Sequence, residues 1–557
     1  MHHCSFVRSI TWALPAVAAL SLACSGPAAP GGDAGSGGAT TAGPKVNRLV
    51  FVTELPTQES NTKRMIATPW GWQLGPMYES LIGVDAANGK RIPQLAESWK
   101  LEPDGMSWRF QLKKGVQFHK GYGEFTAKDL PHAVDEARKT SSHAGIFGFW
   151  TTVADKVEPV GDYEVVYRLK QPDSTFLDYV GEQVGGMEVH SKKHLDEIGD
   201  SNLQGQPPVG TGPYQYRERT QGSNLIYDRV QGAHWRIAPD FAEFEFRFVQ
   251  EASTRMAALL AGEAHIATLP TDLTAQVQKQ NYKVVTGKVP ALRVFMNHYC
   301  CIYKDQADLK AGYMDPTAPM TDVRVRTAMS KAINRDELNK GFFGGKGETS
   351  YLNPFHPVRE GWSTEWEKQF PTEYGYDQAA ARKLLADAGY GPGNPAKVTL
   401  LLSPTPGVSS IQDVTEAIAG YWRAVGMQPE LVTMDAPTVR ANYQAFKLTN
   451  HMQIIGTNST QWIGSTVFGS YLSRANGGPE LPEGDSALRE VARTVDDAKR
   501  AELWTKYGNI LYKEHRFLPL FYLPVEAVAD PKVVGDWTFP GSISGNWTHI
   551  ANVKAAK

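Results

Sequence analysis

The chain has 557 residues, 57 basic and 59 acidic, and a net charge of −2, so it lacks the basic footprint of a nucleic-acid binder. Its 41% hydrophobic and 10% aromatic content excludes a disordered chain. A length well above the roughly 250–300 residues that one core can serve points to two or three lobes, and four cysteines, at positions 4, 24, 300 and 301, are too few for a disulfide scaffold.

The first predicted elements concern delivery rather than fold. Residues 1–9 hold one arginine, Arg8, and no acid. The apolar run from Ile10 to Leu22 is too short to cross a hydrocarbon core of ~30 Å but suits a signal-peptide core. It ends at Leu22-Ala23-Cys24, which resembles the lipobox of bacterial lipoproteins, with Ser21 standing where that pattern places leucine. The resemblance implies a signal peptide over 1–23 and a lipid-modified N-terminus at Cys24. An ordinary secretory signal with an incidental cysteine is the other reading. Residues 24–45 are rich in Gly, Ala, Pro and Ser and read as a flexible linker with a reach of roughly 25 Å. Nothing later has ~18 consecutive apolar residues, so no transmembrane helix is expected.

The folded body is expected from Val46. Leu49 to Thr53 reads as a strand. Trp108, Phe110 and Leu112 alternate with polar residues, Lys113-Lys114-Gly115 turns, and Val116 and Phe118 resume the alternation, which predicts a hairpin over 108–118. Val165, Tyr167 and Leu169 form one face of a further strand. Arg255 to Leu260 predicts a short helix stopped at Gly262. Val325, Ala328, Met329, Ala332 and Ile333 follow the helical period, with Asp322 as N-cap. Ala381, Leu384, Leu385 and Ala388 repeat that spacing up to Gly389, and Ile411, Val414, Ile418, Trp422 and Val425 up to Gly426. The fold class is α/β, and no repeat of 20–50 residues suggests a solenoid.

Catalytic signatures are missing. There is no HExxH helix and no G-x-S-x-G elbow, and Gly541-Ser542-Ile543-Ser544-Gly545 has the wrong spacing. Gly341 to Lys346 is one residue short of a phosphate loop, and Gly347 occupies the position that must hold magnesium. No cofactor is implied.

Five ordered blocks carry a family resemblance. They are Leu95-Ala96-Glu97-Ser98-Trp99 with Asp104-Gly105 through Asp129; Gly210-Thr211-Gly212-Pro213-Tyr214; Glu251-Ala252-Ser253-Thr254-Arg255 with Leu259 to Glu263; Asp322-Val323-Arg324-Val325-Arg326 with Ala332 to Arg335; and Ala381 to Leu385 with Ala388-Gly389-Tyr390. Together, over about Asn47 to Pro531, they resemble the family 5 extracellular solute-binding proteins, the peptide- and nickel-binding components of bacterial ABC importers. The resemblance implies the two-lobed periplasmic-binding-protein fold, in its large form with an extra subdomain and a hinge between the lobes. Lobe I is expected over 46–295 and 516–557, and lobe II over 296–515. A small solute, peptide-like, sugar-like or aromatic, is captured in the cleft and delivered to a permease, with ATP used by separate subunits. The protein is then an exported monomer, in the periplasm or on the outer face of the cell membrane, held by its lipid anchor alone. It is not expected to be an enzyme. The alternatives are a secreted hydrolase using cleft carboxylates and a nickel or metal-chelate binder of the same fold.

Specificity is expected where the chain departs from the family. Peptide binders in it hold the ligand's amino group with an aspartate soon after a lobe II strand. The matching stretch here, Ile454 to Thr466, has no acid. Asn458, Gln461 and Trp462 instead suit a sugar-like or aromatic solute. Glu54 could supply a counter-charge, and Trp72 a second aromatic wall or a core residue. Asn297, His298 and Tyr299, where the chain crosses between lobes, are expected to face the cleft. Met296, His298, Cys300 and Cys301 also form a soft-metal ligand set, but no metal site is assigned. The adjacent cysteines are free thiols or a strained disulfide.

Overall fold

The computed structural model describes residues 46–56, 58–62, 68–139, 147–182, 184, 187–199, 206–288, 292–403, 408, 410–458, 479–540 and 549–557. The side chains of 68–70, 436, 437, 440, 457 and 458 also lie outside the description.

In chain order the strands are β1 (Arg48–Thr53), β2 (Ile82–Val84), β3 (Arg91–Pro93), β4 (Ala96–Leu101), β5 (Ser107–Leu112), β6 (Ala154–Pro159), β7 (Glu164–Leu169), β8 (Tyr214–Thr220), β9 (Asn224–Arg229), β10 (Glu243–Phe248), β11 (Ile266–Ala267) and β12 (Lys283–Thr286). Then come β13 (Leu292–Tyr299), β14 (Glu348–Thr349), β15 (Lys397–Leu402), β16 (Gln428–Thr433), β17 (His451–Asn458), β18 (Phe517–Leu523), β19 (Glu526–Ala529), β20 (Val534–Asp536) and β21 (Lys554–Ala555). They build a seven-stranded sheet ordered β12-β19-β11-β1-β10-β9-β8, a six-stranded sheet ordered β14-β18-β13-β17-β15-β16, and a four-stranded sheet ordered β4-β5-β7-β6. Between the seven- and six-stranded sheets the chain crosses twice, from β12 to β13 and from β18 back to β19.

Strand β1 is buried on both faces, as expected of a central strand in parallel pairing. Leu49 and Phe51 enter the largest hydrophobic cluster, while Val50 and Val52 pack with Leu259 and Val277. That largest cluster runs from Phe246 of the seven-stranded sheet to Met296, Leu400 and Leu518 of the six-stranded sheet. The opposite face of the six-stranded sheet packs Phe295 and Phe517 against Trp366, Leu488 and Tyr507. The four-stranded sheet has its own core, in which Phe110, Val165 and Tyr167 meet Trp150 and Phe176.

The predicted helices form as their spacing requires. Helix Val323–Ala332 is capped by Asp322, whose carboxylate accepts the Arg324 N–H at 2.8 Å. Helices Gln378–Asp387 and Ile411–Ala424 run into Gly389 and Gly426, with φ of +90° and +93°. Trp422 is fully buried, and its Nε1 donates to the Met329 carbonyl at 3.0 Å, joining two of these helices.

The hairpin predicted over 108–118 does not form. β5 pairs with β4 on one side and β7 on the other, so both of its edges are taken. Val116 and Phe118 are still buried in the same core, and Gln117 bridges to Glu124 instead. The alternation marked burial correctly, but pairing was decided by strands distant in sequence.

Candidate functional site

Each of the two large sheets holds a set of three parallel strands. In the seven-stranded sheet β1 runs parallel to β10 and β11, and in the six-stranded sheet β15 runs parallel to β16 and β17. The register with β19 puts the carboxyl ends of the first set beside the two sheet changes, because Ala267 pairs with Val528 and Thr286 with Glu526. In the second set β17 alone reaches the sheet changes, since Leu292 pairs with both Asn458 and Leu523, whereas β15 ends just past its pairing of Leu401 with Gln453 and β16 ends level with β15. At the sheet changes themselves, the Gly287 N–H donates to the Val525 carbonyl at 2.8 Å. Four strand carboxyl ends, those of β1, β10, β11 and β17, therefore converge on the crossovers, which is where open α/β sheets bind ligands.

One arginine organises the seven-stranded side. Arg255, on helix Ala252–Leu260, is 2% exposed. Its Nε donates to the Thr268 carbonyl at 2.8 Å, just past β11. Its Nη1 donates to the Val249 and Gln250 carbonyls past β10, at 2.8 and 2.7 Å. Its Nη2 lies 3.5 Å from the Glu54 carboxylate past β1. Burial lowers the guanidinium pKa, yet four acceptors satisfy it in place of water. Glu54 itself is 50% exposed along its side chain.

A second arginine, Arg219 on β8, fixes the segment that follows β1. It donates to Asn61 Oδ1 at 2.9 Å, to the Ser60 carbonyl at 2.9 Å and to Gln73 Oε1 at 2.7 Å, and it pairs with Glu59 at 3.3 Å. Tyr78 adds a hydrogen bond to the Asn61 carbonyl at 3.3 Å. No motif in the sequence signals either arginine as a gatherer of loops. Arg255 stood out only as part of the Glu251-Ala252-Ser253-Thr254-Arg255 block, and Arg219 not at all.

The expected site residues fall into separate groups. Glu54 and Asn458 stand at the crossover level on the two sheets. Gln461, Trp462 and Cys24 lie outside the described residues, as does the side chain of Asn458. Trp72 is in the core, with its ring edge-on to Phe246 at 4.7 Å and to Phe248 at 6.3 Å. Asn297, His298 and Tyr299 occupy the opposite end of β13, paired with Gln453, Met452 and His451. At ~3.3 Å per residue they are roughly 16–23 Å from the Leu292–Asn458 level. All three are buried. His298 Nδ1 contacts the Arg516 carbonyl at 3.1 Å, and burial holds its pKa well below the usual range. The Tyr299 hydroxyl donates to Gln453 Oε1 at 2.8 Å, and burial pushes its pKa up to about 12.

Cys300 and Cys301 are joined as a vicinal disulfide with Cα atoms 3.8 Å apart, and Arg326 Nη1 lies 3.9 Å from the Cys301 sulfur. Among the described residues no group of three His, Cys, Asp or Glu is arranged to hold a metal ion. Nor is any described helix long and apolar enough to cross a membrane. An open cavity of about 450 Å³ lies near Tyr122, Asp129 and Lys193, on elements that pack with the four-stranded sheet, but no strand ends converge there.

The Gly210-Thr211-Gly212-Pro213-Tyr214 turn is structural. A Cβ on Gly210 would overlap the Met77 carbonyl oxygen, and one on Gly212 would come within 2.5 Å of the Pro76 carbonyl oxygen. Close backbone approach, not a left-handed φ, demands glycine here.

Residues 90–478 match the model of the bacterial extracellular solute-binding proteins, family 5. Among curated relatives, the dipeptide-binding protein of Escherichia coli is 25% identical over 65% of this chain and 66% of its own length. Heme-binding protein A of Haemophilus influenzae is 24% identical over 88% of this chain and 89% of its own. Among solved structures, the ABC transporter-associated periplasmic binding protein DppA of Helicobacter pylori, in complex with the peptide STSA, superposes with a TM-score of 0.72 at 22% identity. That match covers 92% of this chain and 98% of the other.

Proposed function

The chain belongs to the family 5 bacterial extracellular solute-binding proteins, and from that premise we propose that it holds one small solute where the four strand ends meet. Proteins of this family bind small solutes and work with the permease and ATPase components of ABC importers. The carrying observation is the convergence of β1, β10 and β11 with β17 on the two crossovers. The two crossings between the large sheets, after β12 and after β18, form the hinge, and the lobes close over the solute between them. Closure follows binding only in so far as the closed state binds the solute better. The protein releases its solute unchanged, acts as a monomer and is tethered through Cys24.

The solute class follows from charge. Ile454 to Thr466, which begins on β17 and continues past it, carries no acid. Glu54, at the facing edge, already leans on Arg255. A buried ammonium group would lack a committed counter-charge, and that is costly. The solute is therefore sugar-like, aromatic or a peptide without a free amino end, gripped by Trp462, Gln461 and Asn458. Thermal-shift screening of the soluble chain tests this. N-acetylated di- and tripeptides, disaccharides and aromatic acids are compared with the same peptides bearing free amines. Stabilisation by the uncharged set supports the reading, and stronger stabilisation by the free-amine peptides overturns it.

A further inference from the structure

The hydrophobic clusters of the four-stranded sheet and of helices Pro482–Arg493 and Asp497–Lys513 share no member. Polar contacts nonetheless join them. Ser174 stands between β7 and the short helix Phe176–Tyr179. Its backbone N–H donates to the Ala492 carbonyl at 2.8 Å, and its Oγ donates to the Val491 carbonyl at 3.1 Å. Both acceptors belong to the last turn of helix Pro482–Arg493, where the Val491 carbonyl also takes the Thr494 N–H at 3.1 Å. The turn presenting Ser174 is braced by Asp173, whose Oδ1 accepts from the Thr175 N–H at 2.8 Å and from its hydroxyl at 2.6 Å.

Each side carries its own ion pair, Arg91 of β3 with Asp178 on one and Glu360 with Arg500 at 3.0 Å on the other. Arg91, Ser174 and Asp178 go with the four-stranded sheet. Glu360, Val491, Ala492 and Arg500 go with the elements packed on the six-stranded sheet. A boundary bridged by polar contacts rather than by a shared apolar cluster can part and re-form. Helix Pro482–Arg493 also follows closely in the chain on the segment that holds Gln461 and Trp462.

We propose that Ser174 is a positioning residue for closure: it latches the four-stranded part of the first lobe onto the end of helix Pro482–Arg493 when the lobes shut. A contact made in the closed state and not in the open one shifts the balance toward closure and so tightens solute retention. The inference rests on the two-lobed solute-binding reading.

Disulfide trapping in the full chain tests it. The 2.8 Å bond from the Ser174 N–H to the Ala492 carbonyl brings the two backbones into direct contact, where a cross-link can be tried. The double variant Ser174→Cys/Ala492→Cys should cross-link on mild oxidation, and the cross-linked protein should give a smaller radius of gyration than the reduced one. Ser174→Ala should lower the closed population about three- to tenfold, the worth of one hydrogen bond, whereas Ser174→Thr, which keeps the hydroxyl, should restore it. A folded double variant that does not cross-link overturns the proposal. So does a Ser174→Ala protein whose scattering matches Ser174→Thr and wild type. If the double variant does not fold, the Ala and Thr variants decide alone. Neither readout needs the solute, so failure here is distinct from failure to find a bound small molecule.

Discussion

The guanidinium of Arg255 lies 2.8 Å from the carbonyl oxygen of Thr268, and the same group reaches the strand ends at Val249 and Glu54. One buried side chain thus ties together the carboxyl ends of three parallel strands. Arg255→Met keeps the bulk but takes the donor from the buried Thr268 carbonyl and from the part-buried Val249 and Gln250 carbonyls. At about 1–3 kcal/mol for each unsatisfied group, the loss should be about 3–5 kcal/mol after partial relaxation. Urea denaturation reads the change as a lower midpoint. An unchanged midpoint would show that water or neighbouring N–H groups serve those carbonyls equally well.

Gly210→Ala should be among the most damaging single-methyl changes in the chain, because the new Cβ overlaps the Met77 backbone oxygen. The expected cost is above about 3 kcal/mol. Gly161→Ala, with φ of +78° but open space around it, should cost only about 1 kcal/mol. Comparing soluble yield and unfolding midpoint of the two variants separates steric overlap from backbone strain. Equal losses would refute the close-approach account.

The buried histidines make the protein acid-labile. Burial, opposed by a hydrogen bond to the Gly212 carbonyl, draws the His119 pKa down to about 4. His515, stacked on Tyr374, is drawn to about 3 by burial and then by Arg326 and Arg335. Both folded values lie below the ordinary 6.5, so the unfolded chain takes up protons first as pH falls. Their contribution is complete above pH 6.5 and is lost as pH falls from 6.5 toward 4, by about 3 kcal/mol for His119. Asp173 has the opposite sign. Burial raises it from 3.8 to about 6, so its contribution is present below pH 3.8 and is gone once pH exceeds 6. Denaturation midpoints across pH 4–8 should show His119→Gln flattening the acid limb and Asp173→Asn gaining stability at pH 7 but not at pH 4. A His119→Gln profile parallel to wild type would remove that histidine from the account.

Trp462→Ala should weaken solute binding at least tenfold and leave the unfolding midpoint of the solute-free protein unchanged, since a stacking aromatic in a site supplies affinity rather than core packing. Calorimetry with whichever probe stabilises the wild type in the thermal-shift screen reads the change. Equal affinity would take Trp462 out of the site.

Elements governed by local rules were legible in the sequence. Asp322 caps its helix, Gly389 and Gly426 end theirs, and the buried stripe of Ile411, Val414, Ile418 and Trp422 follows the helical period. Features set by distant partners were not. The 108–118 hairpin gave way to β4 and β7, which fill both edges of β5. Asn297, His298 and Tyr299 sit on a strand buried on both faces, where composition does not reveal which end meets the crossovers. The roles of Arg255 and Arg219 depend on carbonyls and side chains brought together from separate segments, and no spacing rule encodes that.

Hydrogen exchange read by mass spectrometry, comparing solute-loaded with solute-stripped protein, tests the location of the site most directly. Protection on loading should concentrate at 54–62, 249–255 and 456–458, the segments at or beside the crossovers. Protection confined to 297–303, or to the cavity around Tyr122 and Lys193, would contradict a site at the converging strand ends.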